Sequence, residues 1–312
     1  MLVFHGVTPR ISDDRIEINH HARDAFYRIG KTLSRQFQVL PLEALEDARK
    51  RPERHTRTVF LSSDDGYANT LSQAADILDE LKLPWSLFIA THHIETGELN
   101  PLFIARLFFF FAPPGSYSIR HLAKPIVLGK RRTTVAAQTI SRLKQLDAKM
   151  AREAVAAMAD ALPGTTRQEL VSRFSSERYL RWDEVAALAK RGVEIGAHAH
   201  WHWPMNAAQS EATIAEQVEK SRALVASHVG CCRFFAYPFG NAGDISREAW
   251  RMVRDAGCVA AFTTKSATLD ASGNDWLLPR YVLKGREPNL PSLLPLLRMG
   301  NSRLRNWQRE LG

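Results

Sequence analysis

Cysteine is scarce in this chain: Cys231, Cys232 and Cys258 are the three present among 312 residues, and two of them are adjacent. An odd set with that spacing makes no disulfide framework, and no zinc-finger pattern is present. Long hydrophobic runs are also lacking. The most apolar stretch, 103–114, is too short to span a bilayer and is interrupted by Arg106. The opening residues Met1-Leu2-Val3-Phe4-His5-Gly6 show neither a basic region nor an extended apolar run. No secretory signal is read there, and a cytoplasmic location is expected, with peripheral membrane contact through the apolar stretch left open. RNA-binding signatures and basic heptad helices are missing as well, so nucleic acid is not an expected partner.

What is present can build a large core. Hydrophobic residues make up 45% and charged residues 24%, which excludes a wholly disordered chain. The length suits one large α/β domain or two smaller ones. The net charge of +9 fits an anionic carbohydrate, including a phosphate- or lipid-linked one, as well as it fits a plain solubility role.

Short apolar runs alternate with helical patterns. Strands are predicted at Leu2–Phe4, Arg57–Leu61, Trp85–Ala90, Val193–Ile195, Phe234–Tyr237 and Val259–Thr263. Helices are predicted at Asn69–Leu81, Trp182–Lys190, Glu211–Val225 and Ile245–Asp255. This order implies a parallel α/β fold with its site at the strand C-termini. Residues 98–180 break the rhythm and read as a helical insertion, with one long helical stretch at about 135–162. Its role stays open between a lid, a membrane-facing patch, a dimer contact and ordinary packing.

Four groups of residues at predicted strand ends can carry chemistry. Asp64-Asp65-Gly66 offers two carboxylates that can divide labour between metal and base, but the same triplet is also an ordinary turn. In His198-Ala199-His200-Trp201-His202 the outer imidazoles are four apart, so one helical turn would bring them to one side while His200 points elsewhere. Ala199 stands where a zincin requires Glu, which argues against that class. Phe235-Ala236-Tyr237-Pro238-Phe239-Gly240 can expose a backbone N–H to an oxyanion, or simply plug a strand end with an aromatic. Arg280 can hold a carboxylate in place, or form a surface ion pair.

Taken in this order, the four groups resemble the polysaccharide deacetylase family, also known as the NodB-homology or carbohydrate esterase 4 family. The resemblance implies a distorted (β/α) barrel of about seven strands, forming a single catalytic domain over 1–312 with the insertion and a basic C-terminal tail at about 286–312. It further implies Asp64 as base, Asp65, His198 and His202 as metal ligands, and the Phe239 N–H as oxyanion donor. Ser62-Ser63 departs from the family's Thr-Phe, Ala199 from its hydroxyl residue, and Ala236 from its Arg, whose place Arg280 can take. No histidine follows His228 to supply the late general acid. Phe4-His5-Gly6-Val7 resembles the early motif of relatives that act on exopolysaccharide, which makes His5 the candidate acid.

The implied activity is metal-dependent removal of an N-acyl group, N-acetyl first, from an amino sugar of a polysaccharide or glycan precursor. A deformylase or O-deacetylase acting on a lipid- or nucleotide-linked sugar is the variant reading. Two histidines and a carboxylate suit zinc first, with iron, cobalt or nickel as alternatives. A non-haem iron oxygenase shares that ligand set but places its His and carboxylate two residues apart. A non-catalytic glycan-binding protein is the remaining rival.

Overall fold

The computed structural model describes residues 1–269 and 273–285, so the expected basic tail at about 286–312 lies outside the described residues. Seven short strands form one sheet: β1 (Leu2–Phe4), β2 (Leu61–Ser63), β3 (Ser86–Ile89), β4 (Glu194–Ala197), β5 (Phe234–Ala236), β6 (Ala260–Phe262) and β7 (Tyr281–Val282). The spatial order is β6-β5-β4-β3-β2-β1-β7, and every adjoining pair is parallel. Parallel strands covered on both faces read as continuous apolar runs rather than alternating ones. Every residue of β1 and β3 is accordingly buried.

The chain from Asp275 to Leu283 ties the two edges of the sheet to each other. Its first half bonds to β6, where the Leu278 N–H donates to the Ala261 carbonyl at 2.9 Å and the Thr263 N–H to the Leu278 carbonyl at 2.8 Å. Its second half runs beside β1, where the Leu283 N–H donates to the Val3 carbonyl at 2.7 Å. This is the distorted (β/α) barrel that the resemblance implied. The seventh strand is two residues long, too short to leave a period in the sequence.

The predicted helices appear as Trp182–Lys190, Glu211–Val229 and Arg247–Asp255. Ser210 caps the second, accepting from the Thr213 N–H at 3.1 Å, and Gly230 ends it in a left-handed conformation. A helix at Arg23–Gln36 has no counterpart among the sequence predictions. The Asn69–Leu81 pattern is realised as a π-helical turn, Thr70–Ala74, running into an α-helix, Ala75–Glu80.

The insertion consists of α1 (Pro101–Phe111), α2 (Arg132–Leu143), α3 (Ala148–Asp160) and α4 (Gly164–Arg173), with a small hairpin before α2. Phe103, Leu107, Phe108 and Phe109 are buried in a cluster of its own, so the apolar stretch is largely core. The single long helix expected at about 135–162 is two helices. Barrel loop side chains take up the carbonyls at the break: Asn206 Nδ2 donates to Lys144 O at 3.1 Å, while Trp203 Nε1 and Gln209 Nε2 donate to Leu146 O at 3.2 and 2.9 Å. Asp147 then caps α3 by accepting from the Lys149 N–H at 3.0 Å. None of the helices among the described residues is long and apolar enough to cross a membrane.

The insertion returns to the barrel through a buried polar cluster. The Ser176 hydroxyl donates to Glu17 Oε1 at 2.6 Å, and the Ser176 carbonyl accepts from Asn69 Nδ2 at 3.0 Å. His20 Nε2 lies 3.0 Å from that carbonyl, and its Nδ1 is 3.5 Å from Glu177 Oε1. Burial pushes the Glu177 carboxyl up to about 8, outweighing Arg106, and pushes His20 down to about 4. The two therefore stay neutral at pH 7, and His20 Nδ1 makes no hydrogen bond among the described residues. A pKa raised on folding contributes stability below the ordinary carboxyl value of 4.5, and that contribution is lost as pH rises through about 8. Denaturant melts at about pH 6 and about pH 9 should show a loss on the order of a few kcal/mol. Glu177→Gln, which cannot ionise, should flatten that difference; an unchanged difference would contradict this protonation state.

Candidate active site

The C-terminal ends of the parallel strands open onto a cavity of about 500 Å³ whose lining includes His5, Asp64, Asp65, His198, His202 and Phe239. His5 follows β1, Asp64 and Asp65 follow β2, His198 follows β4, and Phe239 lies just beyond β5. Residues up to 234 positions apart in sequence thus meet at one barrel end.

Asp65 Oδ1 lies 2.9 Å from His202 Nε2 and 3.3 Å from His198 Nε2. One donor atom from each of these residues falls within 4.8 Å of the others. Both Asp65 carboxylate oxygens are buried and lack an aligned hydrogen bond among the described residues. Such an orphaned carboxylate is costly to keep unless a cation completes it. Burial would raise its pKa, but His202 and His198 outweigh burial and hold it well below the usual carboxylate range. This donor set, one carboxylate and two imidazoles, fits a divalent ion.

The imidazoles converge differently from the helical turn expected from their spacing. Residues 198–202 form an irregular loop in which Ala199 and His202 have φ of 60° and 49°. The left-handed residues fold the loop back on itself, leaving the two ring centroids 4.9 Å apart. His198 Nδ1 donates to the Ala236 carbonyl at 2.7 Å, which selects the tautomer with Nε2 free toward Asp65. His200 turns away, with Nδ1 2.9 Å from Thr91 Oγ1 and its ring against His92.

Asp64 is gripped by Arg280, whose two terminal nitrogens each donate at 2.7 Å to a different carboxylate oxygen. Arg280 has no exposed surface. Its Nε donates to the Thr263 carbonyl at 3.0 Å, and a terminal nitrogen reaches Ser62 Oγ at 3.3 Å. The surface ion pair considered for Arg280 is therefore set aside, and Ser62 acquires a reason to be small and polar. Burial would raise Asp64, but Arg280 and His198 outweigh it and keep the carboxyl below its usual range. His5 is held the other way: burial lowers its pKa despite the opposing pull of Asp65 and Asp64. The Ser63 hydroxyl donates to the His5 carbonyl at 2.7 Å and ties the end of β1 to β2.

Phe239 has φ of 61°, and its carbonyl accepts from Thr264 Oγ1. Gly240, at φ 71°, passes so near the Thr264 backbone that a Cβ there would sit 2.6 Å from its nitrogen. Phe239 N–H has no hydrogen-bond acceptor among the described residues.

Two contributors come from the insertion. Asn100 accepts from the Leu102 N–H at 2.8 Å as the cap of α1, and its Nδ2 lies 3.1 Å from both Tyr179 Oη and His202 Nδ1. Lys144 lines the cavity, with Nζ 4.0 Å above the Phe239 ring and 2.5 Å from Asp244 Oδ1. Asn100-Pro101 is a helix-start signal readable in sequence, but nothing local announces either contact with the site.

The family model described as polysaccharide deacetylase matches residues 51–261, a span that includes the Asp64, His198 and Phe239 groups. Among similar solved structures is the Streptococcus pyogenes deacetylase PplD in complex with acetate, at 13% identity and TM-score 0.62, covering 96% of this chain and 97% of that one. IcaB from Ammonifex degensii aligns at 15% identity and TM-score 0.56, covering 99% and 95%. A de-N-acetylase from Aggregatibacter actinomycetemcomitans aligns at 14% identity and TM-score 0.54, covering 98% of each chain. At such identities the likeness is one of fold. No curated protein matches the chain. Because the family model spans most of the sequence, the chain belongs to the polysaccharide deacetylase family, hydrolases that cleave carbon–nitrogen bonds other than peptide bonds.

Proposed function

We propose that this protein is a metal-dependent N-deacetylase acting on an amino sugar of a polysaccharide or glycan precursor. The observation that carries the reading is the orphaned, buried Asp65 carboxylate facing His198 Nε2 and His202 Nε2. The N-acetyl reading is supported by two of the similar structures, one a deacetylase in complex with acetate and one a de-N-acetylase. An exopolysaccharide context is supported by the early His5 motif and by the cavity it lines.

Asp65, His198 and His202 would hold the ion, zinc first among the candidates. A divalent cation there would polarise the acyl carbonyl and make water a better nucleophile at neutral pH. Asp64, kept ionised by Arg280, takes the proton from the attacking water as the carbon–oxygen bond forms. The Phe239 N–H donates to the oxygen that becomes negative in the tetrahedral state. His5 donates a proton to the sugar nitrogen as the carbon–nitrogen bond breaks, so water and the N-acetyl group leave as acetate and the free amine. Its lowered pKa makes protonated His5 a stronger acid than an ordinary imidazolium.

The ligand assignment is tested by elemental analysis. Asp65→Ala, His198→Ala and His202→Ala should each lose bound metal, while His200→Ala should keep it. Full metal content in His202→Ala would sink the assignment.

The proton roles separate kinetically. Asp64→Asn should retain metal and lose about 100-fold or more in turnover on every substrate, since its step is attack by water. His5→Ala should be as impaired on an N-acetyl sugar but much less so on an activated phenyl acetate, whose leaving group departs without a proton. Equal losses on both substrates would remove His5 from the acid role. Mass spectrometry of the product should show loss of acetyl from nitrogen, and release of formate in its place would overturn the N-acetyl reading.

A further inference from the structure

The loop that carries His198 and His202 also sends Trp201 the other way, into a second cavity. That cavity, of about 790 Å³, lies within the insertion between α1, α3 and α4, on the far side of Asn100 from the active site. Leu99, Ile104, Val155 and Trp201 supply an apolar wall. Apart from Val155, these residues remain partly exposed although they pack on the insertion core. A polar sugar would find few partners on such a wall, whereas a hydrocarbon chain needs none.

Charge at the rim narrows the occupant. The two acidic residues there are already matched: Glu98 pairs with Arg152 at 3.1 Å and His92 at 2.9 Å, and Glu153 pairs with His121 at 2.7 Å and Arg120 at 3.4 Å. Lys149 and Arg167 also line the cavity; neither closes an ion pair within 4.0 Å among the described residues, and Lys149 acts on Glu153 only through space. The insertion as a whole is strongly cationic, with thirteen Lys and Arg against six Asp and Glu over 98–180. That segment therefore carries a net +7 (thirteen minus six) of the chain's +9, and Lys149, Arg152 and Arg167 of it line the hollow.

We infer that this cavity binds the chain of an anionic single-chain amphiphile, an alkyl phosphate in chemical class, with Lys149 and Arg167 holding the phosphate. Both the apolar volume and the two rim cations that close no ion pair are then used by one molecule. The site is separate from the catalytic cavity, and the inference does not rest on the proposed reaction.

The test is calorimetric titration of the full chain with dodecyl phosphate below its micelle concentration, alongside octyl phosphate, dodecanol and inorganic phosphate. Dodecyl phosphate should bind tightest. Octyl phosphate should bind about 100-fold more weakly, because four fewer methylenes are buried. Ala156→Trp, which fills the cavity from α3, should abolish binding while leaving the thermal melt and the hydrolysis of a small N-acetyl substrate unchanged. Lys149→Glu combined with Arg167→Glu should weaken dodecyl phosphate by about 10-fold or more and leave dodecanol unaffected. Several results would overturn the inference: undiminished binding to Ala156→Trp, equal affinity for dodecanol and dodecyl phosphate, or inorganic phosphate binding as well as the amphiphile. A stable dimer that takes up no dodecyl phosphate would instead assign the hollow to a second copy of the chain. Since the assay reads binding without turnover, its failure would leave the deacetylase proposal standing, and the converse also holds.

Discussion

The buried pair between Arg280 and Asp64 is the constraint around which this barrel end is organised. Two adjacent carboxylates at one strand end, both fully desolvated, would ordinarily share a proton, because burial and mutual repulsion each oppose ionisation. Arg280 relieves this for Asp64 through two 2.7 Å hydrogen bonds, while the imidazoles of His198 and His202 do so for Asp65. The two acids are thereby assigned to different neighbours, which is a precondition for different roles. Arg280 reaches Asp64 because the segment from Asp275 to Leu283 crosses from β6 to β1 and carries the guanidinium inside the seam. Removing one partner of such a buried pair typically costs about 3–5 kcal/mol, more than any surface ion pair here can contribute.

Strain gathers at the same end of the barrel. Asp65, Ala199, His202 and Phe239 are non-glycine residues with φ between 49° and 75°. Conformations of this kind cost on the order of 1–3 kcal/mol each and persist only where surrounding structure over-determines them. Here the barrel core beneath the loops is continuous from Phe4 through Ile89 and Ala197 to Tyr237. Asp65 is further held by the Ala90 N–H donating to its carbonyl at 3.1 Å, and Phe239 by Thr264. Asp65, His202 and Phe239 line the cavity, so there the strain buys orientation, whereas Lys82 and His121, at φ 52° and 66°, are left-handed away from it.

Much of the barrel was legible because its strands are buried on both faces and its helices are not. Runs such as Leu2–Phe4 and the helix at Trp182–Lys190 appear where pattern places them. The motif residues at strand ends were legible for a related reason: a parallel barrel collects its strand C-termini, so Asp64, His198 and Phe239 had to meet. What pattern missed depends on tertiary partners. Lys144 reads as one more residue of a continuous helix until Asn206, Trp203 and Gln209 take the carbonyls of Lys144 and Leu146 and break it. The left-handed turn at Ala199 belongs to a residue with no intrinsic preference for it. Glu177 leaves no signal at all, since a buried carboxyl next to His20 is a product of packing between the insertion and the barrel.

The central claim is that Asp65, His198 and His202 form a metal site from which Asp64 is held apart. Anomalous diffraction from crystals grown with zinc, recorded on both sides of the zinc edge, tests it most directly. The account predicts one strong peak about 2.0–2.2 Å from an Asp65 oxygen, His198 Nε2 and His202 Nε2, with Asp64 still paired to Arg280. A peak bound through Asp64, or one elsewhere with these three residues vacant, would contradict it.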